Sequence, residues 1–352
     1  MENQLHTIAW PSITEKSEES CIDFSVNTNS LGIPDTVLSN FSKIAELAGS
    51  YPDPECNLLS AHLADKYNVS QNHILCGNGA DDLLYRIVFS LRPKQALIIE
   101  PAFEEYNLAL DLVGCEVHHH QLKASDQFAL DETVLSAIQE NYDMVFLCNP
   151  NNPTGQLVKP ALLKKMIERC EKNEILLIVD ECFMEFIPDW ESCSVKQATA
   201  SFQYLLVIDA FTKTYSLAGF RLGFCISGNI SLLSQMKVQG QSFGVSVPAQ
   251  FAGICALMDP AYLSKTYLHI AKERTWLLSK LNAPGIQVWP SQCNFLLLRT
   301  QHSNIVAELL LKDIKVRDCS RFYGLGPEYC RIAIKSHAEN EHFVNMISTV
   351  FQ

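Results

Sequence analysis

Short apolar runs that end in polar residues recur along this chain, and they limit its fold more than any other feature. Ala96-Leu-Ile-Ile-Glu100, Met144-Val-Phe-Leu-Cys148, Ile175-Leu-Leu-Ile-Val179, Leu205-Leu-Val-Ile208 and Leu222-Gly-Phe-Cys-Ile226 are each brief and rich in branched side chains. They are apolar on both faces, as strands buried between two helix layers must be. Between two of them, the stretch from Lys159 to Lys172 has helical periodicity, with Leu162, Leu163, Met166 and Ile167 on one side. Alternation of this kind predicts an α/β fold with a mostly parallel sheet. The C-terminal third reads differently. Ile286-Gln-Val-Trp289, Phe295-Leu-Leu-Leu298 and Cys330-Arg-Ile-Ala-Ile334 are strand-like, with helices at 305–311 and 339–350, which predicts a smaller α+β domain. The expected division is an N-terminal segment (1–45) packing with the small domain, a large domain (46–250) and the small C-terminal domain (251–352).

Composition excludes several classes. The 352 residues carry a formal charge of -12 with no lysine- or arginine-rich block, which argues against nucleic acid or an anionic membrane as partner. The thirteen cysteines are scattered with no CxxC spacing, and reduced thiols in the cytoplasm are the expectation. The N-terminus lacks the basic and apolar regions of a signal peptide, and no apolar run approaches transmembrane length. His118-His-His120 lies on a strand whose successive residues point to opposite faces, so it reads as edge polarity rather than a metal site.

Ligands of open α/β sheets bind beyond the carboxyl ends of the strands. Four polar clusters fall at such ends. Gly77-Asn-Gly-Ala-Asp-Asp82 lies between a short apolar run and a helix, so that Ala80 and Asp81 can turn free N–H groups toward an anion. It is neither a Walker loop nor a GxGxxG fingerprint, and an ordinary turn gives the same pattern. Asn149-Pro-Asn-Asn-Pro-Thr-Gly155 fixes a turn that can present one amide. Asp180 closes a strongly apolar strand, where a carboxylate needs a partner such as a protonated ring nitrogen. Thr212-Lys213 follows a fourth strand, and Arg221 comes eight residues after the lysine. A buried lysine near a second cation has a lowered pKa, and its neutral amine forms Schiff bases. Arg331 sits inside an apolar strand, where either a carboxylate ligand or a structural salt bridge would pair it.

In this order the motifs resemble fold type I pyridoxal-phosphate enzymes, specifically aminotransferase class I/II, from Asp23 to Glu341. The resemblance implies a large domain with a mostly parallel, seven-stranded sheet between helices, plus the small α+β domain. It implies that Lys213 holds pyridoxal 5'-phosphate as a Schiff base and then transfers protons, and that Asp180 pairs with the ring nitrogen. Asn152 would bond the ring's phenolic oxygen, and Phe103 would stack on the ring. Ala80, Asp81, Thr212 and Arg221 would bind the cofactor phosphate. Tyr51 matches a tyrosine that reaches the neighbouring subunit's cofactor, which implies a homodimer with shared active sites. Arg331 would clamp the substrate carboxylate, with Asn152 beside it. Phe183 stands where a tyrosine is often found, and Ala210 where a hydroxyl residue is often found.

Two branches are most similar. Asp23-Phe-Ser-Val-Asn-Thr-Asn-Ser-Leu-Gly-Ile-Pro34, Phe183-Met-Glu-Phe-Ile-Pro188 and Arg331-Ile-Ala-Ile-Lys-Ser336 resemble threonine-phosphate decarboxylase, although the His-Gly-Gly motif of that enzyme is missing. The other branch is histidinol-phosphate aminotransferase. Arg317 matches an arginine that binds substrate phosphate; the alternative for it is a salt bridge with Asp313 or Asp318. The leading expectation is amino transfer on a small, phosphorylated or acidic amino substrate, with decarboxylation as the alternative. A pyridoxal-phosphate-binding protein without turnover is a further alternative, against which the intact lysine, aspartate and arginine set speaks. A nucleotide-binding protein built on the Gly77 turn would lack an acidic ribose partner at the usual spacing.

Overall fold

Every residue of Met144–Cys148 is buried, and so is every residue of Leu205–Ala210, so side chains leave both faces of these strands into dry surroundings. Leu97, Ile99, Val145, Leu147, Leu177 and Val179 pack on one face with Leu162, Leu163, Met166 and Ile167 of the helix Pro160–Lys172. Ile98, Phe146, Ile178, Leu206 and Ile208 pack on the other with Leu83, Leu84, Ile87 and Val88 of the helix Ala80–Leu91. The period of two along each strand delivers alternate residues to two separate cores, which makes a three-layer body.

The computed structural model describes residues 21–281, 284–301 and 304–351. Residues 1–20 of the N-terminal segment, including the reading of its extreme terminus, lie outside the described residues. Strand β1 (Ile22–Asp23) comes first. The central sheet is built from β2 (Ile74–Gly77), β3 (Gln95–Glu100), β4 (Glu116–Gln121), β5 (Met144–Cys148), β6 (Leu176–Asp180), β7 (Leu205–Ala210) and β8 (Gly223–Ile226). Then follow β9 (Ile286–Trp289), β10 (Phe295–Thr300), β11 (Ile314–Lys315), β12 (Arg317–Asp318) and β13 (Tyr329–Ala333).

The central sheet has seven strands in the order β2-β8-β7-β6-β5-β3-β4. Pairings from β7 to β4 are parallel, whereas β8 runs antiparallel to both β7 and β2. The carboxyl ends of β2, β3, β5, β6 and β7 therefore share one edge of the sheet, and the start of β8 shares it with them. A smaller antiparallel sheet, β12-β13-β10-β9, is backed by the helices Tyr262–Lys280 and His337–Ser348 through Ile270, Leu277, Phe343 and Ile347. β1 pairs in parallel with β11, and the N–H of Ala333 donates to Phe24 O at 2.9 Å, so the chain's first described residues lie against this smaller sheet. His118, His119 and His120 are on β4, the edge strand; His118 leans on Tyr142, and His119 stacks on Tyr323 at 4.1 Å. Among the described residues no group of side chains is arranged to hold a metal ion, and no helix is long and apolar enough to cross a membrane.

Candidate active site

A cavity of about 380 Å³ opens at the shared sheet edge, large enough for a small ligand. Every site residue predicted from sequence lines it except Tyr51: Ala80, Asp81, Phe103, Asn152, Asp180, Thr212, Lys213, Arg221, Arg317 and Arg331. Tyr51 stands outside, 85% exposed, against Phe243 at 5.2 Å between ring centroids.

Lys213 projects from the short helical turn Phe211–Thr214 that directly follows β7. Its Nζ donates to Asn27 Oδ1 at 3.0 Å and lies 5.9 Å from the Phe183 ring centre. Burial, aided by the positive charge of Arg331, pulls the Lys213 pKa down to about 8, against the opposing pull of Cys182, Asp81 and Asp180. A neutral amine is thus available close to neutral pH.

Asp180 ends β6. Its Oδ2 accepts from the Tyr106 hydroxyl at 2.5 Å, and its Oδ1 accepts from the Cys182 N–H at 2.9 Å. Burial and then the Asp180 charge push the Tyr106 pKa well above its ordinary value, so Tyr106 stays a donor. Phe183 is buried, edge-on to Phe295 at 5.0 Å, and Ala210 is a small buried wall residue.

The helix Ala80–Leu91 begins at Gly79, whose φ of 91° suits glycine, and no side chain caps it. A Cβ at Gly79 would lie 2.7 Å from Arg221 Nη2, and one at Gly223 would lie 2.6 Å from Ala80 N. Backbone and guanidinium can approach this closely because both positions lack a side chain. Arg221 precedes the antiparallel β8, which is why it arrives at the same edge as the others. It pairs with Asp81 at 3.3 Å; burial raises the Asp81 pKa while Arg221 lowers it. Uncapped N–H groups and the Arg221 guanidinium meet at one end of the cavity, whose lining also includes Thr212, a composition suited to an anion.

Arg331 is buried on β13. Its Nη1 donates to Asn152 Oδ1 at 2.5 Å and its Nη2 to Ser25 O at 2.9 Å, while Nε has no partner. Burial lowers its pKa to about 10, which leaves it charged at neutral pH. Among the described residues it has no carboxylate partner, so the structural salt bridge considered for it is not there. Arg317, its register partner on β12, is paired with Glu104 at 2.9 Å rather than with Asp313 or Asp318.

Sequence reasoning missed Asn27, Tyr106 and Glu104. Asn27 is buried, its Nδ2 has no partner, and its backbone carbonyl accepts from Asn294 at 2.8 Å. Two residues on, the Asn29 amide donates to Thr214 O, and its N–H donates to Lys213 O, both at 2.9 Å. Two asparagines spaced by two in an aperiodic stretch were the available signal; only the fold brings them to the lysine.

Behind β6 and β7 lies a second charged group. Lys196, 1% exposed, reaches Glu181 at 2.7 Å and Asp209 at 2.9 Å. Burial alone would lower its pKa, but Asp209, Glu181 and Glu185 together raise it. Lys66 meets Glu185 at 2.7 Å alongside. Removing one partner of such a group leaves the others uncompensated. Lys196→Met is expected to lower the unfolding free energy by about 3–5 kcal/mol. Urea denaturation checks this, and a loss below about 1 kcal/mol would contradict the assigned role.

Residues 19–347 match the family Aminotransferase class I and II. The chain belongs to this family. It is 33% identical to threonine-phosphate decarboxylase of Salmonella typhimurium, over 95% of this chain and 92% of that one. The histidinol-phosphate aminotransferase structure from Clostridium acetobutylicum superposes with a TM-score of 0.88 at 29% identity, covering 94% of this chain and 98% of that one. That from Sinorhizobium meliloti, in complex with pyridoxal-5'-phosphate, gives 0.84 at 24% identity over 94% and 91%, a likeness of fold. Both agree with the expected fold type I architecture of a mostly parallel seven-stranded sheet between helices. Aminotransferase class I and II enzymes use pyridoxal phosphate, and the donor set here fits it. The cup that a Gly79 Cβ would fill suits a phosphate, Asp180 suits a cationic ring, and Lys213 suits an aldehyde.

Proposed function

We propose that this chain is a pyridoxal-phosphate-dependent enzyme acting at the α-carbon of a small amino substrate that carries a second, phosphate-like anion. The observation that carries it is the meeting of Lys213, Asp180, Asn152, Arg221 and Arg331 in one cavity. Bound pyridoxal phosphate supplies an electron sink for negative charge developing on the substrate α-carbon. Asp180, held by Tyr106 and the Cys182 N–H, places a fixed negative charge against the cofactor's ring cation. The Ala80–Asp81 backbone, Thr212 and Arg221 bind the cofactor phosphate, and Phe103 walls the ring. Asn152, with its Oδ1 taken by Arg331, keeps Nδ2 to donate to a cofactor oxygen. Arg331 takes the substrate carboxylate and Arg317 the second anion. Lys213 Nζ would anchor the cofactor, and its amine, with a pKa lowered to about 8, would be the group that moves a proton at the reacting carbon. Asn27 holds that amine when it is idle.

Amino transfer is the primary reading, in keeping with the family and with the likeness to the Clostridium acetobutylicum histidinol-phosphate aminotransferase. Decarboxylation is the second, and the 33% identity to a threonine-phosphate decarboxylase favours it. The two differ in which bond at the substrate α-carbon would break, the C–H bond in amino transfer or the bond to the carboxylate in decarboxylation. Tyr51, exposed on the surface with Phe243, fits a residue that enters a partner subunit's cavity, and a homodimer with shared sites is part of this proposal. The twelve free thiols from Cys56 to Cys330 suit a reducing compartment such as the cytoplasm.

The test is incubation of the yellow holoenzyme with threonine phosphate and with histidinol phosphate, each with and without 2-oxoglutarate. Glutamate formed only with the keto acid supports amino transfer; carbon dioxide released without it supports decarboxylation. A colourless protein that pyridoxal phosphate does not reconstitute defeats both readings.

A further inference from the structure

Arg331 and Arg317 are direct cross-strand partners on β13 and β12, and both line the cavity. Neighbours across an antiparallel pair sit roughly 5 Å apart at their Cβ atoms, so two guanidinium groups face one small space. Their surroundings differ. Arg331 is buried and bonded to neutral oxygens, with Nε unpartnered. Arg317 is about a third exposed, lies 5.6 Å from the Phe322 ring centre, and already has a counter-charge.

Three carboxylates line the cavity among the described residues: Asp81, Asp180 and Glu104. Asp81 pairs with Arg221, and Asp180 is held by Tyr106 and the Cys182 N–H. Glu104 goes to Arg317, with Nη2 donating to Oε1 at 2.9 Å. The neighbouring Glu105 is engaged elsewhere, by the Tyr85 hydroxyl at 2.7 Å. Glu104 therefore holds the guanidinium that the proposed reading assigns to the substrate's second anion.

We infer that Glu104 is a specificity-determining residue: an internal anion that holds Arg317 until a substrate with a stronger second anion displaces it. The inference rests on the proposed reading of the site. A substrate with an α-carboxylate alone leaves the Glu104–Arg317 pair intact and gains nothing from Arg317. A phosphate brings a charge near -2 and three acceptor oxygens, enough to compete with one carboxylate for the guanidinium. A second carboxylate brings no such advantage, so Glu104 favours phosphorylated substrates over merely acidic ones.

Glu104→Gln tests this, since it removes the charge and keeps the shape. Inorganic phosphate is titrated calorimetrically into holoenzyme, wild type and variant, and KM and kcat are measured for threonine phosphate and threonine. The expected result is a phosphate dissociation constant and a threonine phosphate KM lowered roughly two- to fivefold, as for loss of a partly exposed pair. Values for threonine and kcat stay within about twofold, and Arg317→Gln in the same chain cancels the gain. Weaker phosphate binding in the variant, equal binding in both proteins, or no binding in either overturns the inference; so does a common fall in kcat for both substrates. These results in a yellow holoenzyme leave the cofactor reading standing, whereas failure to take up pyridoxal phosphate at all defeats that reading first.

Discussion

Lys213→Ala is expected to cut turnover roughly a thousandfold or more while the protein stays folded. The side chain is half-buried, and the hydrogen bond it loses, to Asn27 Oδ1 at 3.0 Å, leaves the asparagine beside an open cavity where water can replace the amine. The variant keeps the phosphate cup and Asp180, so it should still bind pyridoxal phosphate, but reversibly: borohydride fixes the cofactor to the wild type and leaves it dialysable from the variant. Wild-type activity retained in the variant would remove Lys213 from the mechanism. The depressed pKa gives a pH signature. Covalent capture of pyridoxal phosphate by the apoprotein should rise with pH up to about 8 and level off above it, because protonated amine is unreactive. The sign for stability follows from the same shift. Below about 8 the amine is charged in both folded and unfolded chains, and the folded one bears the full cost of burying it. Between about 8 and the ordinary 10.5 that cost is relieved, so this residue's contribution to stability improves as pH rises.

The sheet was legible because its strands are apolar on both faces, a pattern few other elements produce. Met144–Cys148 and Ile286–Trp289 fall on the residues read from sequence, and the ends of other elements move by one or two residues. The site was legible for a related reason. Parallel strands put their carboxyl ends on one edge, so Asp180, Asn152 and Lys213 had to converge once the alternation was recognised. Asn27 was not legible, since it joins the lysine across 186 positions and from a stretch without regular period. Glu104 was hidden by its exposure, which in sequence looks like any helix-start acid. The pairing of β12 with β13 spans a loop, and nothing in Val-Arg-Asp reveals that Arg317 faces Arg331. The Lys196 group was invisible because each of its members alone reads as a surface charge. Local patterns report burial and period; partners fixed by tertiary closure leave no local trace.

Arg331→Met should lower kcat/KM by about 10²- to 10³-fold, the scale of roughly 2–5 kcal/mol for removing one partner of a buried, hydrogen-bonded charge pair. Arg331→Lys should rescue little, because an ammonium cannot reproduce a planar fork that already spends Nη1 on Asn152 and Nη2 on Ser25. Two further readouts separate a ligand-binding arginine from a structural one. Arg331 is buried among the described residues with no carboxylate and with Nε unsatisfied, so a methionine there removes a desolvated charge. Thermal unfolding should therefore show the variant to be no less stable than the wild type, contrary to the loss a structural salt bridge would give. Arg331 is also, after burial, the next cause of the low Lys213 pKa. Taking its charge away should move the pH dependence of pyridoxal phosphate capture upward from about 8, toward the ordinary lysine value. A variant that loses stability, keeps the wild-type pH profile and turns over normally would show that Arg331 serves the fold rather than the substrate carboxylate.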